Sequence, residues 1–332
     1  MKTEVTEKTL IVSPTWLGDC LMAMPAVQGL KEKIPGTNIT ILSKKGMVGL
    51  WQLNDSIDDV VTMPLATGEM FRLACELRGR HFVRAYILPN SFRSALIPFV
   101  AKIPERIGMP GHFRGMMLTE IRKPGTGLHQ SQEYGELTGT VNLLSRTARI
   151  SASNEATKKM NDLLLSDGQK PIALMPGAAF GAEKRWAPEN YIEVARELSR
   201  SGYRFVLLGS SSERDICARI AEAISNNCLN LAGETSIDEL TAALSCSRLV
   251  LANDSGGAHL AAAIGATVLV VFGVTDPGKT APLGKFVKVV QSDSILKGRD
   301  MVKHRKIAQA GLQSISPSHV LEQALMLLDK SS

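Results

Sequence analysis

TLIVSPTWLGDCLMAMPAV, residues Thr9 to Val27, sets the fold. Thr9 to Val12 is a short β-branched and apolar run, the signature of a strand buried on both faces. Pro14 and Gly18 break it, and Cys20 to Val27 is apolar enough for a buried helix. A buried strand followed at once by a buried helix opens a βαβ unit with a parallel sheet. One carboxylate, Asp19, stands in the turn between them. The plain reading of Asp19 is a helix N-cap.

The same alternation runs through the chain. NITILS (38–43), DDVVTM (58–63) and RAYILPN (84–90) read as strands, with helices near 19–33, 67–79 and 91–101. From Pro171 the pattern starts afresh with strands in IALMP, YRFVLLG, LNLAG, RLVLAN and TVLVVFG. Helices near 188–200, 213–224, 236–245 and 257–264 separate them. The intervening stretch is more polar, with helices expected near 133–146 and 154–165. The fold expected is α/β, two Rossmann-like, doubly wound parallel-sheet domains facing a cleft. Residues 1–170 form the first domain, 171–315 the second, and 316–332 a final amphipathic helix packing back on the first. Ligands bind such sheets outside the carboxyl ends of the strands.

The chain has 332 residues, 44% of them hydrophobic, and its longest apolar runs fall short of the ~18–20 residues of a membrane span. The N-terminus runs straight into a strand and does not read as a signal peptide. Five cysteines, an odd number without CxxC spacing, read as reduced structural thiols. The net charge of +6 is uneven: residues 1–165 carry 20 Lys/Arg against 15 Asp/Glu. Arg78 to Lys123 holds nine cations and only Glu105 and Glu120, a composition suited to an anionic partner.

The turns after the strands of the second half carry the chemistry. Gly177 to Trp186 pairs small residues with Lys184 and Arg185. Ser210 to Glu213 opens a helix. Asp254-Ser-Gly-Gly-Ala-His259 offers two glycines with accessible amides at a helix start, an anion site suited to a diphosphate, with His259 one turn in. Glu213 either favours the helix dipole or accepts from ribose hydroxyls. GxGxxG, GxxxxGK[ST] and DxD motifs are absent, so NAD, P-loop and catalytic divalent-metal chemistry lack their sequence signals. Asp19, if it faces the cleft, is a candidate general base for an attacking hydroxyl.

SPTWLGDCLMAMPAV, PNSFRSAL, GAAFGAEKRWAPENY and NDSGGAHLAAAIGATVLVVFG together resemble glycosyltransferase family 9, from about residue 9 to the last helix. The likeness is greatest to members that add the second heptose of the lipopolysaccharide inner core. It implies a GT-B fold and an inverting, metal-independent transfer of L-glycero-D-manno-heptose from ADP-heptose to heptosyl-Kdo2-lipid A. It implies Asp19 as base and Lys184 on the donor diphosphate. Glu213 would meet the ribose and Thr235, where many members have Met, the adenine. Asp254, Ser255, Gly256, Gly257 and His259 would meet phosphates and sugar. Gly181-Ala182-Glu183 departs from the Gly-Pro that many members carry before Ala-Lys-Arg-Trp.

For an anionic acceptor at the inner leaflet, the candidates are Lys44, Lys45, Arg93, Arg106 and Arg114. The resemblance further implies a cytoplasmic enzyme, peripheral at the inner face of the cytoplasmic membrane, held by charge and by exposed Phe113, Met116 and Met117. It calls for no cofactor and no metal. Three alternatives stand: a family member with another acceptor or adding the first heptose, a nucleotide-sugar epimerase on the same architecture, and a nucleic-acid binder. The last lacks a stacking platform or recognition helix.

Overall fold

The structure is a computed structural model, and it describes residues 7–111, 113–143, 147–166, 168–178, 184–224, 227–273, 275–292 and 310–330. It divides into two compact units, Met1–Ile150 and Ser151–Ser332.

In the first unit the strands are β1 (Lys8–Val12), β2 (Asn38–Ser43), β3 (Asp59–Thr62), β4 (Arg84–Ile87), β5 (Glu105–Gly108) and β6 (Glu120–Ile121). They form one parallel sheet of order β3-β2-β1-β4-β5-β6. Its helices are α1 (Leu17–Lys33), α2 (Val48–Gln52), α3 (Thr67–Gly79), α4 (Phe92–Val100) and α5 (Gln130–Thr138). Leu10, Val12, Leu42, Ala85 and Ile87 of the sheet pack with Met70, Ala74 and Leu77 of α3 and Ala95 and Ile97 of α4.

The second unit opens with α6 (Asn154–Leu164). Its strands are β7 (Ile172–Met175), β8 (Phe205–Leu207), β9 (Cys228–Asn230), β10 (Leu249–Asn253), β11 (Val268–Phe272) and β12 (Val287–Gln291), in the order β12-β11-β10-β7-β8-β9. The helices between and after them are α7 (Pro188–Arg200), α8 (Arg214–Ile224), α9 (Ile237–Ser245), α10 (Gly256–Ala263), α11 (Pro277–Thr280) and α12 (Pro317–Asp329). Read from its first strand, each sheet runs 3-2-1-4-5-6. Each therefore reverses direction once, between β1 and β4 in the first unit and between β7 and β10 in the second, and ligands bind at such switch points.

Three expectations are corrected. The boundary lies between Ile150 and Ser151, not before Pro171. The reason is α6: Ala156, Met160 and Leu164 are buried, Ser153 bonds Asp238, and Lys159 pairs with Glu239 of α9. The final helix belongs to the second unit, where Val320, Ala324 and Leu328 join the core that holds Trp186 and Leu249. The helix expected near 133–146 is α5, which begins at Gln130 and stops at Gly139 in the left-handed conformation (φ 71°), a glycine C-cap.

Candidate functional site

In the first unit the turn after β1 is fixed by buried side chains. Trp51 Nε1 donates to Ser13 Oγ at 2.8 Å, Ser13 Oγ lies 3.4 Å from Cys20 Sγ, and that thiol donates to the Pro14 carbonyl at 3.3 Å. This network sets where α1 starts. The N-cap is Trp16, in extended conformation and without a side-chain cap bond. Asp19 sits two residues inside the helix, so the simple cap reading is corrected. Its Oδ1 accepts from the Gln130 amide at 3.1 Å, and the same amide nitrogen contacts Tyr134 Oη at 3.0 Å. Gln130 is the first residue of α5, which His129 caps through Nδ1. The sequence offers no signal for this contact, since 111 positions separate its partners.

The five acceptor candidates divide. Lys44 and Lys45 are exposed on the turn after β2, and Lys44 Nζ stands 6.0 Å from the centre of the Trp16 ring. The arginines each place donors on backbone carbonyls, with all three side-chain nitrogens engaged in Arg114 and only Nη2 in the exposed Arg93. Arg93 bonds the Pro64 and Leu65 carbonyls. Arg106 bonds those of Ile103, Pro104 and Met117. Arg114 is 0% exposed, and bonds the carbonyls of Met109 and Pro89 and the hydroxyl of Ser94. Burial pulls its guanidinium down to about 10, still charged at neutral pH. Met117, expected on the surface, is buried, whereas Phe113 and Met116 are exposed.

In the second unit the switch point between β7 and β10 collects most of the expected donor residues. Lys184 Nζ lies 2.6 Å from Asp254 Oδ2, which also accepts from Thr275 Oγ1 at 3.0 Å. Asp254 was expected among the phosphate contacts or as a helix cap. The cap is Ser255. Asp254 instead holds the lysine. The N-cap Ser255 makes no side-chain bond to the first turn of α10. A Cβ at Gly257 would come within 2.2 Å of Met175 Cε, so this glycine also serves packing at the end of β7. His259 is buried one turn into α10.

Asn253, not selected from the sequence, organises this switch point. It is fully buried, donates to the carbonyls of Pro176 and Gly177 at 2.7 and 3.3 Å, and accepts from Trp186 N and Tyr191 Oη at 3.1 and 3.0 Å. Trp186 is itself buried and bonds the Ile315 carbonyl, which anchors the lysine two residues before it. The departure at Gly181-Ala182-Glu183 lies outside the described residues.

Glu213 sits on the neighbouring turn after β8. Its Oε2 accepts from Ser210 N at 2.7 Å and Ser210 Oγ at 2.8 Å, the helix-start role. Its Oε1 lies against Gly177, where a Cβ would approach to 1.9 Å. Thr235, half-buried, precedes Ser236, the N-cap of α9. Its turn leans on the Glu213 turn through Gly233, whose amide donates to the Gly209 carbonyl at 2.8 Å. The described residues hold no cluster of three or more His, Cys, Asp or Glu side chains that could bind a metal ion.

The model of Glycosyltransferase family 9 (heptosyltransferase) matches residues 70–309. The chain is 31% identical to lipopolysaccharide heptosyltransferase 2 of Escherichia coli, over 97% of this chain and 98% of that one. To the Salmonella typhimurium protein of the same name it is 30% identical, over 97% and 99%. The solved structure of E. coli ADP-heptose LPS heptosyltransferase II superposes with a TM-score of 0.85 at 28% identity, covering 97% of this chain and 99% of that one. A family 9 glycosyltransferase from Veillonella parvula reaches 0.89 at 20% identity, covering 99% of both chains, and shows the shared fold alone.

Proposed function

The chain belongs to glycosyltransferase family 9, and from that premise we propose that it transfers a heptosyl group from ADP-heptose to the heptosylated Kdo-lipid A core of lipopolysaccharide. An acceptor hydroxyl attacks the anomeric carbon as the bond from that carbon to the diphosphate oxygen breaks. Asp19 takes the hydroxyl proton, and ADP leaves. A single displacement inverts the anomeric carbon.

One observation carries this reading. At the second switch point a lysine, oriented by Asp254 and Thr275, stands in the turn after β7, while α10 begins beyond β10 without a side-chain cap. Lysine charge and helix-start amides suit a leaving diphosphate, and they supply positive charge without a metal ion. Glu213 Oε1 and Thr235, on the next two turns, serve the ribose and the adenine. Lys44, Lys45, Arg93 and Arg106 are the acceptor contacts proposed, Arg114 being fully buried. The acceptor places the enzyme at the inner face of the cytoplasmic membrane. No helix among the described residues is long and apolar enough to cross a membrane.

The test is a transfer assay with ADP-heptose and a mono-heptosylated Kdo-lipid A acceptor, read by mass spectrometry and by the anomeric configuration of the product. One added heptosyl group with inverted configuration, unchanged by EDTA, is the expected result. Consumption of ADP-heptose without acceptor would favour the epimerase alternative, and loss of activity to chelator would end the metal-free mechanism.

A further inference from the structure

The chain has three tryptophans, and two of them belong to the cores. Trp51 and Trp186 are fully buried, and each donates its indole N–H to a protein oxygen, Ser13 Oγ and the Ile315 carbonyl. Trp16 is different. It is 47% exposed, on the turn between β1 and α1. It occupies the N-cap of α1, where Ser, Thr, Asp or Asn would satisfy a helix amide, and it makes no side-chain cap bond. Tryptophan is on average a highly buried residue. At this position it gains neither full burial nor a capping bond, which points to a role outside the fold.

The turn that presents the indole is fixed. Buried bonds among Trp51, Ser13, Cys20 and the Pro14 carbonyl hold its backbone. Cys20 N closes the first helical turn on the Trp16 carbonyl at 2.9 Å. Ser13 N bonds the Leu42 carbonyl at 3.0 Å, which ties this turn to the end of β2. An aromatic side chain on a fixed backbone loses little freedom when a ligand packs against it.

Two charged groups accompany the indole. Asp19, half-buried, lies three residues further on. Residues at that spacing are neighbours on one helix face, with Cβ atoms about 5–6 Å apart. Lys44, exposed on the turn after β2, holds Nζ 6.0 Å from the centre of the ring. An aromatic surface, an acid and an exposed cation thus share one corner of the carboxyl edge of the first sheet.

A sugar ring has an apolar face of C–H bonds and a rim of hydroxyls. The C–H face packs on an indole, while the rim stays open to polar partners. An attacking hydroxyl must come within hydrogen-bond reach of its base, so the ring that carries it lies over the first turn of α1. We propose that Trp16 is the platform on which the terminal sugar ring of the acceptor stacks, turning its attacking hydroxyl toward Asp19. The proposal rests on the acceptor reading above and adds the apolar contact that charged residues cannot supply.

The experiment uses the full chain and the deacylated, water-soluble form of the mono-heptosylated Kdo-lipid A acceptor. With Trp51 and Trp186 buried, acrylamide quenching of tryptophan fluorescence reads Trp16. The acceptor should shield Trp16 from acrylamide, and Trp16→Phe should abolish the quenchable signal. In the transfer assay Trp16→Ala should raise the acceptor KM at least about 10-fold, with kcat, ADP binding and the thermal transition changed far less. Trp16→Phe, which keeps an aromatic face, should raise it less. Absence of shielding, or an acceptor KM that Trp16→Ala leaves in place, overturns the proposal while transfer itself stands. So does a loss confined to kcat, which would make the indole a prop for the start of α1. If the wild type transfers nothing to this acceptor and the acceptor still shields Trp16, the proposed function fails and the sugar platform stands. Neither transfer nor shielding ends both.

Discussion

The two units share a strand order and differ in how the switch point is furnished. In the first, a carboxylate inside the opening turn of α1 is met by a neutral amide, Gln130, from a helix more than a hundred residues away in sequence. In the second, a lysine is met by a carboxylate, Asp254, from the neighbouring strand end. An amide hydrogen bond orients an acid without adding a countercharge, which suits the proton acceptor proposed for Asp19. A carboxylate beside a lysine offsets its charge until a stronger anion arrives, which lets a cation sit mostly buried without a ligand. One topology thus supports opposite electrostatic assignments, because the strand order sets where side chains converge and the turn residues alone set what they are.

The largest expected effect tests the first half of that contrast. Asp19→Asn keeps a partner for Gln130 but removes the proposed proton acceptor, so turnover should fall by roughly 10²–10⁴ with ADP affinity unchanged. Gln130→Ala leaves the acid and removes its orienting bond. The loss should be smaller, about 10-fold, and should fall on kcat more than on KM. Equal loss in both variants would make Gln130 part of the fold rather than a positioning residue.

The next effect tests the second half. Lys184→Ala removes the proposed charge-assisted phosphate contact, so ADP binding by calorimetry should weaken by roughly 10–100-fold. It also takes the countercharge from Asp254, whose side chain is almost wholly buried, and the thermal transition should drop. Adding Asp254→Asn should restore the transition and leave ADP binding weak. Recovery of binding in the double variant would mean that the lysine acts only as a partner for Asp254.

The sheets were legible in the sequence because buried parallel strands are short β-branched runs, and TLIV, IALM and TVLVV cannot be much else. The weakest strands were not: β6 is two exposed residues and β12 a half-exposed edge, Val-Lys-Val-Val-Gln, with little apolar contrast to read. Pro25 and Pro98, ordinary stop signals, lie inside α1 and α4, where burial overrides the lost hydrogen bond. Residues that act through the turn they occupy, such as Lys184 and Asp254, could be picked out locally. Gln130 could not, and Arg114 was read as an acceptor contact because a sequence shows charge but not whether backbone carbonyls surround it.

The smallest effect uses a coincidence of the two units. Each places a buried thiol beside its carboxylate, Cys20 next to Asp19 and Cys217 one turn after Glu213, and each thiol is pushed up to about 12. Burial is the chief cause in both. For Cys217 the Glu213 charge comes next. For Cys20 the Ser13 hydrogen bond opposes the rise, and Asp19 adds to it less. A thiol whose value is raised on folding favours the folded state at pH below its ordinary value near 9, and that contribution disappears as pH climbs toward 12. Alkylation at pH 8 should therefore modify the exposed Cys75 and spare both buried thiols. Alkaline titration followed by thiolate absorbance should show Glu213→Gln lowering the Cys217 value. An unchanged value would mean that burial alone raises the Cys217 thiol and that the Glu213 charge does not reach it.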